Sequence, residues 1–376
     1  MSELIDAVNN ASLEEVRWLI EQGANVNGTD AFGKTPLIWA AKGGMADISR
    51  LLIESGAEID FKDDPNHKTA LMYTNNLATA RLLLEHGADP NLKYTDTRTL
   101  LVKHVEEGNI GFVRLLLENG ADPNIADSSG KTALTASVKT GNIRIIELLI
   151  DHNADVNASE RYNGTALMHT KNAEVIKFLL KKGAEVEAVD SSGMTALMRA
   201  ASDGHVENVR LLLEYNANPN ARESRGRTPL MYAARNNAMA VAELLLEHGA
   251  VIDTTENAGK TALMWAATKG HIMMLRFLVN KGADVNRQSK TGTTALIQAA
   301  AHANRSAVKM LLDLDANQFT RNSLGQTAYD VAYSRGHTTV TELLQNPAEI
   351  ADVLRKGGEA LQKLRREIAR KKRVAH

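Results

Sequence analysis

Apolar and polar positions follow one order along most of the chain. In the stretch Thr35–Ala41 a threonine precedes a proline, a leucine and two alanines, and after Gly44 comes an aliphatic run that ends at Gly56. Threonine is a good helix N-cap, and a proline is tolerated at the first helical position. Glycine suits the left-handed backbone between and after helices. The pattern therefore predicts two short helices joined by a tight turn.

This unit returns at intervals of 30 to 34 residues, most of them 33. A unit of that size cannot bury enough surface to fold alone, so a fixed period predicts stacked units and not one globular core. The prediction is an elongated, curved, all-α solenoid whose long concave face favours binding over catalysis. The anchoring threonines are Thr35, Thr69, Thr99, Thr132, Thr165, Thr195, Thr228, Thr261, Thr294 and Thr327.

Two sets of turn residues accompany these threonines. One set lies nine places after the threonine of most full-length units, and the other follows the second helix; both are predicted to be left-handed. The first set is Gly44, Gly108, Gly141, Gly204, Asn237, Gly270 and Gly336. The second set is Gly87, Gly120, Asn153, Gly183, Asn216, Gly249 and Gly282.

The unit resembles the ankyrin repeat, whose Thr-Pro-Leu-His-x-Ala motif is similar to Thr35–Ala40 and Thr228–Ala233. The resemblance covers residues 2–345, including a first half-motif at Glu14–Asn27, and implies about eleven helix–turn–helix repeats with protruding β-turn loops. The motif histidine, which ties the turn to the helix, is replaced in most units by isoleucine or methionine, such as Ile38 and Met72. We expect the turn to depend on packing and on the threonine instead.

Two units, starting near Thr69 and Thr165, are only 30 residues long. Each loses three residues between its helices, which is nearly one helical turn. Both carry asparagine at the shortened turn, Asn75-Asn76 and Asn172, so they look like one repeat subtype. A duplicated block would explain them, and so would a local dip in the groove.

Composition is that of an ordinary soluble chain, with 44% hydrophobic and 24% charged residues. No apolar run is long enough to cross a membrane, and the N-terminus enters repeat sequence without a signal-like segment. The absence of cysteine excludes disulfides and thiolate metal sites and is compatible with a reducing cytoplasm. We expect a cytoplasmic monomer without a cofactor.

Positive charge is concentrated near the C-terminus. Residues 346–376 hold nine basic and four acidic residues, whereas residues 1–345 hold 35 basic and 41 acidic residues. The tail after Gly357-Gly358 predicts a basic amphipathic helix that would bind an acidic partner, nucleic acid or a membrane surface. Alternatively it caps the open end of the solenoid. Arg370–Arg373 also matches a weak import-type patch.

Motifs of known catalytic sites are absent or accidental. Gly28–Thr35 fits the phosphate-loop pattern, but a helix end and not a strand precedes it, and Gly-Lys-Thr recurs in other units. No zinc-binding His-Glu-x-x-His or serine-nucleophile motif occurs. An enzyme would need a site assembled around His169 and Arg199, and this is the competing class.

The fifth place of each motif varies while the framework repeats. Two of the three tryptophans lie in it, together with lysine, arginine and glutamine side chains that a buried core position would not accept. Tryptophan, tyrosine and arginine are common interface anchors, so we predict that this column binds a partner. The alternative is that its aromatic rings pack against the preceding turn. The column contains Trp39, Tyr73, Lys103, Ala136, His169, Arg199, Tyr232, Trp265, Gln298 and Val331.

A second column, directly before each threonine, is mostly basic and includes Arg227, with Arg225 beside it. A basic rim next to an aromatic stripe favours an acidic protein segment. The net charge of −6 over residues 1–345 disfavours nucleic acid. The sequence thus predicts a non-enzymatic scaffold that holds a partner protein in its concave groove, with a tail that binds nucleic acid or an acidic surface as the alternative.

Overall fold

The computed structural model describes residues 3–64 and 66–345, and beyond them Arg355, Gly358 and Gln362. Apart from these three residues, the tail predicted for 346–376 lies outside the described residues. The chain divides into two compact units, Met1–Ser191 and Ser192–His376. The described residues contain twenty-two helices in eleven consecutive pairs, six pairs in the first unit and five in the second.

The first unit contains twelve helices and one two-stranded ribbon. Its helices are α1 (Glu3–Asn9), α2 (Leu13–Glu21), α3 (Pro36–Lys42), α4 (Ala46–Glu54), α5 (Ala70–Tyr73), α6 (Leu77–Glu85), α7 (Leu100–Glu106), α8 (Ile110–Glu118), α9 (Ala133–Thr140), α10 (Ile143–Asp151), α11 (Ala166–His169) and α12 (Ala173–Lys181). Strands β1 (Ser159–Glu160) and β2 (Gly164–Thr165) are antiparallel, with Ser159 opposite Thr165. Successive first helices pack together, as α1 does with α3, and successive second helices form another layer, as α2 does with α4.

The second unit repeats the same two-layer packing in ten helices. They are α13 (Ala196–Asp203), α14 (Val206–Glu214), α15 (Pro229–Arg235), α16 (Met239–Glu247), α17 (Ala262–Lys269), α18 (Ile272–Asn280), α19 (Ala295–Ala301), α20 (Arg305–Asp313), α21 (Ala328–Ser334) and α22 (Thr338–Thr341). Alanines of the first helices, such as Ala233 and Ala266, are fully buried and let α15 and α17 pack closely. Leucines of the second helices, such as Leu212 and Leu245, fill the core between the layers.

The helix ends confirm the local predictions. Seven of the anchoring threonines accept a hydrogen bond from the backbone N–H three residues later, as Thr35 does from Ile38 at 3.3 Å. Pro36 and Pro229 lie in the first helical turn. Both predicted sets of turn residues have positive φ angles, including the non-glycine residues Asn153, Asn216 and Asn237.

In the two 30-residue repeats the first helix has only four residues, against seven or eight in the other repeats after the first threonine. Asn76 and Asn172 are the N-caps of the second helices α6 and α12, and their side-chain oxygens accept backbone N–H bonds from Ala78 and Glu174. The asparagine therefore starts the second helix where the intervening turn has been lost.

The expectation for the turn loops is wrong in one respect, because a side chain in the loop itself holds the turn. Asp30 Oδ1 accepts from the backbone N–H of Phe32 at 2.8 Å and of Lys34 at 2.9 Å. Packing and the threonine are thus supplemented by an acceptor, a common way to stabilise a turn. Equivalent acceptors are Asp63, Asp127, Glu223, Ser289 and Asn322.

Asparagines after the second helices join neighbouring repeats. Asn91 Nδ2 donates to the Gly120 carbonyl at 3.1 Å, and Asn91 Oδ1 accepts from Asp122 N–H at 2.8 Å. Each such amide satisfies at once a loop N–H of the next repeat and the carbonyl of the left-handed residue that follows that repeat's second helix. The asparagines that make both bonds are Asn27, Asn91, Asn124, Asn157 and Asn220.

Within the described part of the chain, no helix is both long and apolar enough to cross a membrane.

Candidate functional site

In the first unit, the fifth-place aromatic rings are partly exposed and are bonded to the preceding loop. Trp39 Nε1 donates to Asp30 Oδ2 at 2.9 Å, and Tyr73 Oη donates to Asp63 Oδ2 at 2.5 Å. Burial and the hydrogen bond to Asp63 raise the pKa of Tyr73 to about 12, so its hydroxyl stays protonated. The packing alternative therefore holds for one edge of each ring, while the rest of each ring keeps some exposure.

Lysine side chains of the loops lie close to aromatic rings of their own and the neighbouring repeat. Lys34 Nζ lies 5.2 Å from the ring centroid of Phe32 and 5.6 Å from that of Tyr73, within the range of a cation–π contact. Lys68 Nζ lies 5.4 Å from Tyr73 and 5.7 Å from Tyr94. Neighbouring loops are thereby linked through their cations and rings.

Lys103 borders an open cleft of about 460 Å³ next to Tyr94. Its ammonium group lies 3.1 Å from Glu107 Oε1, and its side chain is 30% exposed. Arg98 on the same cleft pairs with Asp96 at 2.7 Å and with Glu106 at 2.9 Å. Burial raises the pKa of Tyr94 and keeps the hydroxyl neutral. Charges of both signs line this cleft, and most are already paired.

His169 lies beside a buried carboxylate. His169 Nε2 is 3.7 Å from Glu160 Oε2, Lys139 Nζ is 3.6 Å from Glu160 Oε1, and Asn163 donates to Glu160 at 2.9 Å. Burial opposes the ionisation of Glu160, but Asn163, His169 and Lys139 outweigh it and lower the pKa of the carboxyl group. Glu160 is therefore a fixed negative charge that anchors the loop side of this repeat.

In the second unit, two members of the column are less exposed than expected. Tyr232 and Gln298 are each only 9% exposed, whereas Arg199 and Trp265 are partly exposed. The expectation that glutamine marks an accessible position is wrong for Gln298, which is buried on α19 and whose side-chain oxygen accepts a hydrogen bond from Thr268 Oγ1 at 3.4 Å. Ala136 and Val331 are buried as well.

Three cations surround Trp265. Arg227 Cζ lies 4.7 Å from the ring centroid, Lys260 Nζ lies 4.9 Å away and Arg235 Cζ lies 5.3 Å away. Arg227 also forms a salt bridge of 2.9 Å with Glu256, a carboxylate that is 6% exposed. We call Arg227, Arg235, Lys260 and Trp265 the Trp265 cluster. Arg225 is exposed on the loop that carries Arg227.

Most of the basic column is paired with carboxylates of the same or a neighbouring repeat. Lys34 pairs with Asp63 at 3.9 Å, and Lys131 pairs with Glu106 at 3.1 Å. Arg98 and Arg227 also contact carboxylates. The column as a whole is therefore not a continuous basic rim, and attraction for an acidic partner is confined to places where cations exceed carboxylates.

Sequence reasoning missed the loop carboxylates and Arg235. The carboxylates had a signal, since an acid lies five residues before the threonine in seven repeats. These acids are Asp30, Asp64, Asp127, Glu160, Asp190, Glu223 and Glu256. No sequence signal marked Arg235, because its place at the end of α15 brings it over Trp265 only when α15 and α17 are packed together.

Among the residues that the structure describes, no cluster of histidine and carboxylate side chains has the arrangement of a metal site. Arg199 and His169 belong to different compact units.

Family models for ankyrin repeats match nearly the whole described chain. A three-copy model matches residues 4–94, 74–160, 100–187, 159–223 and 217–289, and a many-copy model matches residues 278–332. The chain belongs to the ankyrin repeat family. Its stacked helix pairs form an all-α repeat solenoid, and the predicted count of about eleven repeats agrees with the eleven helix pairs.

Curated relatives share only part of the chain. It is 34% identical over 110 residues to the ankyrin repeat and KH domain-containing protein mask-1 of Caenorhabditis elegans, which is 28% of this chain and 4% of that protein. It is 38% identical over 110 residues to the putative E3 ubiquitin-protein ligase XBAT34 of Arabidopsis thaliana, 28% of this chain and 29% of that protein. A putative ankyrin repeat-containing protein of Treponema pallidum is 33% identical over 101 residues, 26% of this chain and 34% of that protein.

These matches span between 4% and 34% of the relatives' own lengths. They therefore support the repeat fold and leave the activities of the complete relatives outside the comparison.

Proposed function

We propose that this ankyrin repeat protein is a non-enzymatic scaffold that binds a partner protein, or an extended segment of one, along the first-helix side of its repeats. In a stack of repeats, side chains at equivalent places of successive repeats lie on one continuous surface within each compact unit. The supporting observation is the set of partly exposed, chemically varied side chains at one place of otherwise uniform repeats.

The proposal rests on those column residues whose side chains are partly exposed. Lys103 in the first unit and Trp265 in the second are partly exposed and project from the first-helix layer, so their loss opens no large internal cavity. Tyr232 is buried, so its removal would also destabilise α15 and would not report on partner binding alone. Trp18 is 58% exposed on the second-helix layer and gives a matched aromatic control.

The test is affinity capture from the source cell, followed by binding measurements with the purified partner. Lys103→Glu or Trp265→Ala should weaken binding at least tenfold, about 1.4 kcal/mol, as expected for an interface anchor. Trp18→Ala and Lys177→Glu, on second helices, should leave affinity within about twofold, a few tenths of a kcal/mol. Equal losses for both pairs of variants, or full binding by Lys103→Glu and Trp265→Ala together, would contradict the proposal.

A further inference from the structure

We infer that the Trp265 cluster is a binding site for carboxylate side chains of an acidic partner segment. The inference rests on the proposed function and specifies the chemistry that one part of the second unit recognises.

The first observation is an excess of positive charge. Arg227, Arg235 and Lys260 all lie within 5.3 Å of one ring centroid, so no two of the measured atoms are more than about 11 Å apart. Only Arg227 has a salt-bridge partner among the described residues, and that partner is Glu256. Cations at such separations repel one another at ordinary salt concentrations. A bound carboxylate would offset this repulsion.

The second observation is an indole N–H without an acceptor. Trp265 Nε1 is shielded from solvent and has no hydrogen-bond partner among the residues described. Trp39 occupies the equivalent place in an earlier repeat and donates to Asp30, nine residues before it. Nine residues before Trp265 lies Glu256, whose carboxylate instead bonds Arg227 Nε at 2.9 Å.

An unsatisfied buried donor costs free energy, and a ligand oxygen that reaches it recovers that cost. The side chains over the ring are long and flexible, so they can part without moving a helix. Arginine guanidinium groups bind carboxylates through two parallel hydrogen bonds, which adds geometric selectivity to the charge attraction.

Net charge favours an acidic protein segment over nucleic acid. The excess of cations is local, whereas residues 1–345 carry 41 acidic and 35 basic residues. A long polyanion would meet this wider negative field, while a short segment would meet only the cluster.

Three indole N–H signals make the site directly observable, because the chain contains only Trp18, Trp39 and Trp265. The full chain, labelled with ¹⁵N, is titrated at low salt with a short glutamate-rich peptide, and the signals are assigned with tryptophan-to-phenylalanine variants. The Trp265 signal should shift saturably, while those of Trp18 and Trp39 stay in place. The same peptide with glutamine in place of glutamate should produce no shift.

The decisive variant keeps the reporter and removes two cations. Arg235→Gln combined with Lys260→Gln should raise the dissociation constant of the glutamate peptide at least tenfold. The control, Arg276→Gln with Lys309→Gln, removes the same charge from exposed positions on α18 and α20 and should change it by less than threefold.

Three outcomes would overturn the inference. These are no shift of Trp265, equal weakening in both double variants, or tighter binding of a single-stranded oligonucleotide at the same signal. The result is separable from that of the scaffold proposal, because that proposal is tested with the captured partner and includes Lys103 of the other unit, which plays no part in the peptide titration.

Discussion

At the scale of single residues, repeats that share one backbone conformation at a turn differ in the amino acid that adopts it. The residue nine places after the threonine is left-handed in every full-length repeat and is glycine in most of them. In the repeat of Thr294 it is Ala303, with φ of 57°, a conformation in which the Cβ atom crowds the backbone. Ala303 is exposed, so no packing compensates for this strain.

Ala303→Gly should therefore stabilise the second unit by about 0.5–1 kcal/mol. This is the strain energy that glycine relieves in the left-handed conformation, minus the cost of the greater conformational entropy of glycine in the unfolded chain. Urea denaturation followed by circular dichroism measures the change. The reverse substitution, Gly204→Ala, should destabilise by a similar amount, since its Cβ would meet only an ordinary contact of 3.7 Å with Ala238. Loss of stability in Ala303→Gly would show that the turn is not strained.

At the scale of structural elements, each asparagine that joins two repeats donates through its amide nitrogen and accepts through its amide oxygen. Asp60 and Asp253 occupy the same place in two repeats and accept from the next loop, but an ionised carboxylate cannot donate to the carbonyl that follows the second helix. Burial is the largest cause that raises the pKa of Asp60, and the nearby charge of Asp89 raises it further.

A raised pKa means that the folded state binds the proton more tightly than the unfolded chain does. The stabilisation is then complete below the unfolded pKa near 3.8 and is lost as the pH rises through the folded pKa. At neutral pH Asp60 is charged and lacks the donor. Asp60→Asn should accordingly raise the free energy of unfolding by about 1 kcal/mol at pH 7 and by less near pH 3.

Thermal unfolding at the two pH values measures this difference. Asn91→Asp is the matched control, because it removes the donor to Gly120 and should lower stability at pH 7. A larger gain for Asp60→Asn at pH 3 than at pH 7 would contradict the sign of the pKa shift.

At the scale of the whole molecule, cohesion comes from contacts between adjacent repeats within each compact unit. First helices contact first helices of the next repeat, and second helices do the same. Such nearest-neighbour stacks lose cooperativity when one internal repeat is weakened. Leu212, on α14, is 1% exposed and belongs to the core of the second unit.

Leu212→Ala should cost roughly 2–5 kcal/mol through lost burial and the cavity left behind, and should separate unfolding into two transitions. Trp265 fluorescence reports on the second unit, and a variant that retains only Trp18 and Trp39 reports on the first. Leu324→Ala, at a leucine that is 79% exposed, should leave a single transition close to that of the unmodified chain. Coincident transitions by both probes in Leu212→Ala would mean stronger coupling than nearest-neighbour packing provides.

The sequence by itself determined the repeat, its helices and its turns. Threonine caps, alanine pairs and left-handed glycines act over a few residues, so their spacing is sufficient to place helices such as α3 and α17. It also marked the fifth-place column, because variation stands out against a uniform framework.

Only the tertiary structure decided which of those side chains are exposed and which charges remain unpaired. Lys34 meets Asp63, and Arg227 meets Glu256 29 residues away, across the boundary between repeats. Such pairings depend on the stacking of neighbouring loops. The same stacking buries Tyr232 and Gln298 while it leaves Trp265 beneath three cations. Periodicity fixes where a residue lies in its repeat, whereas its charge environment depends on the repeats packed against it.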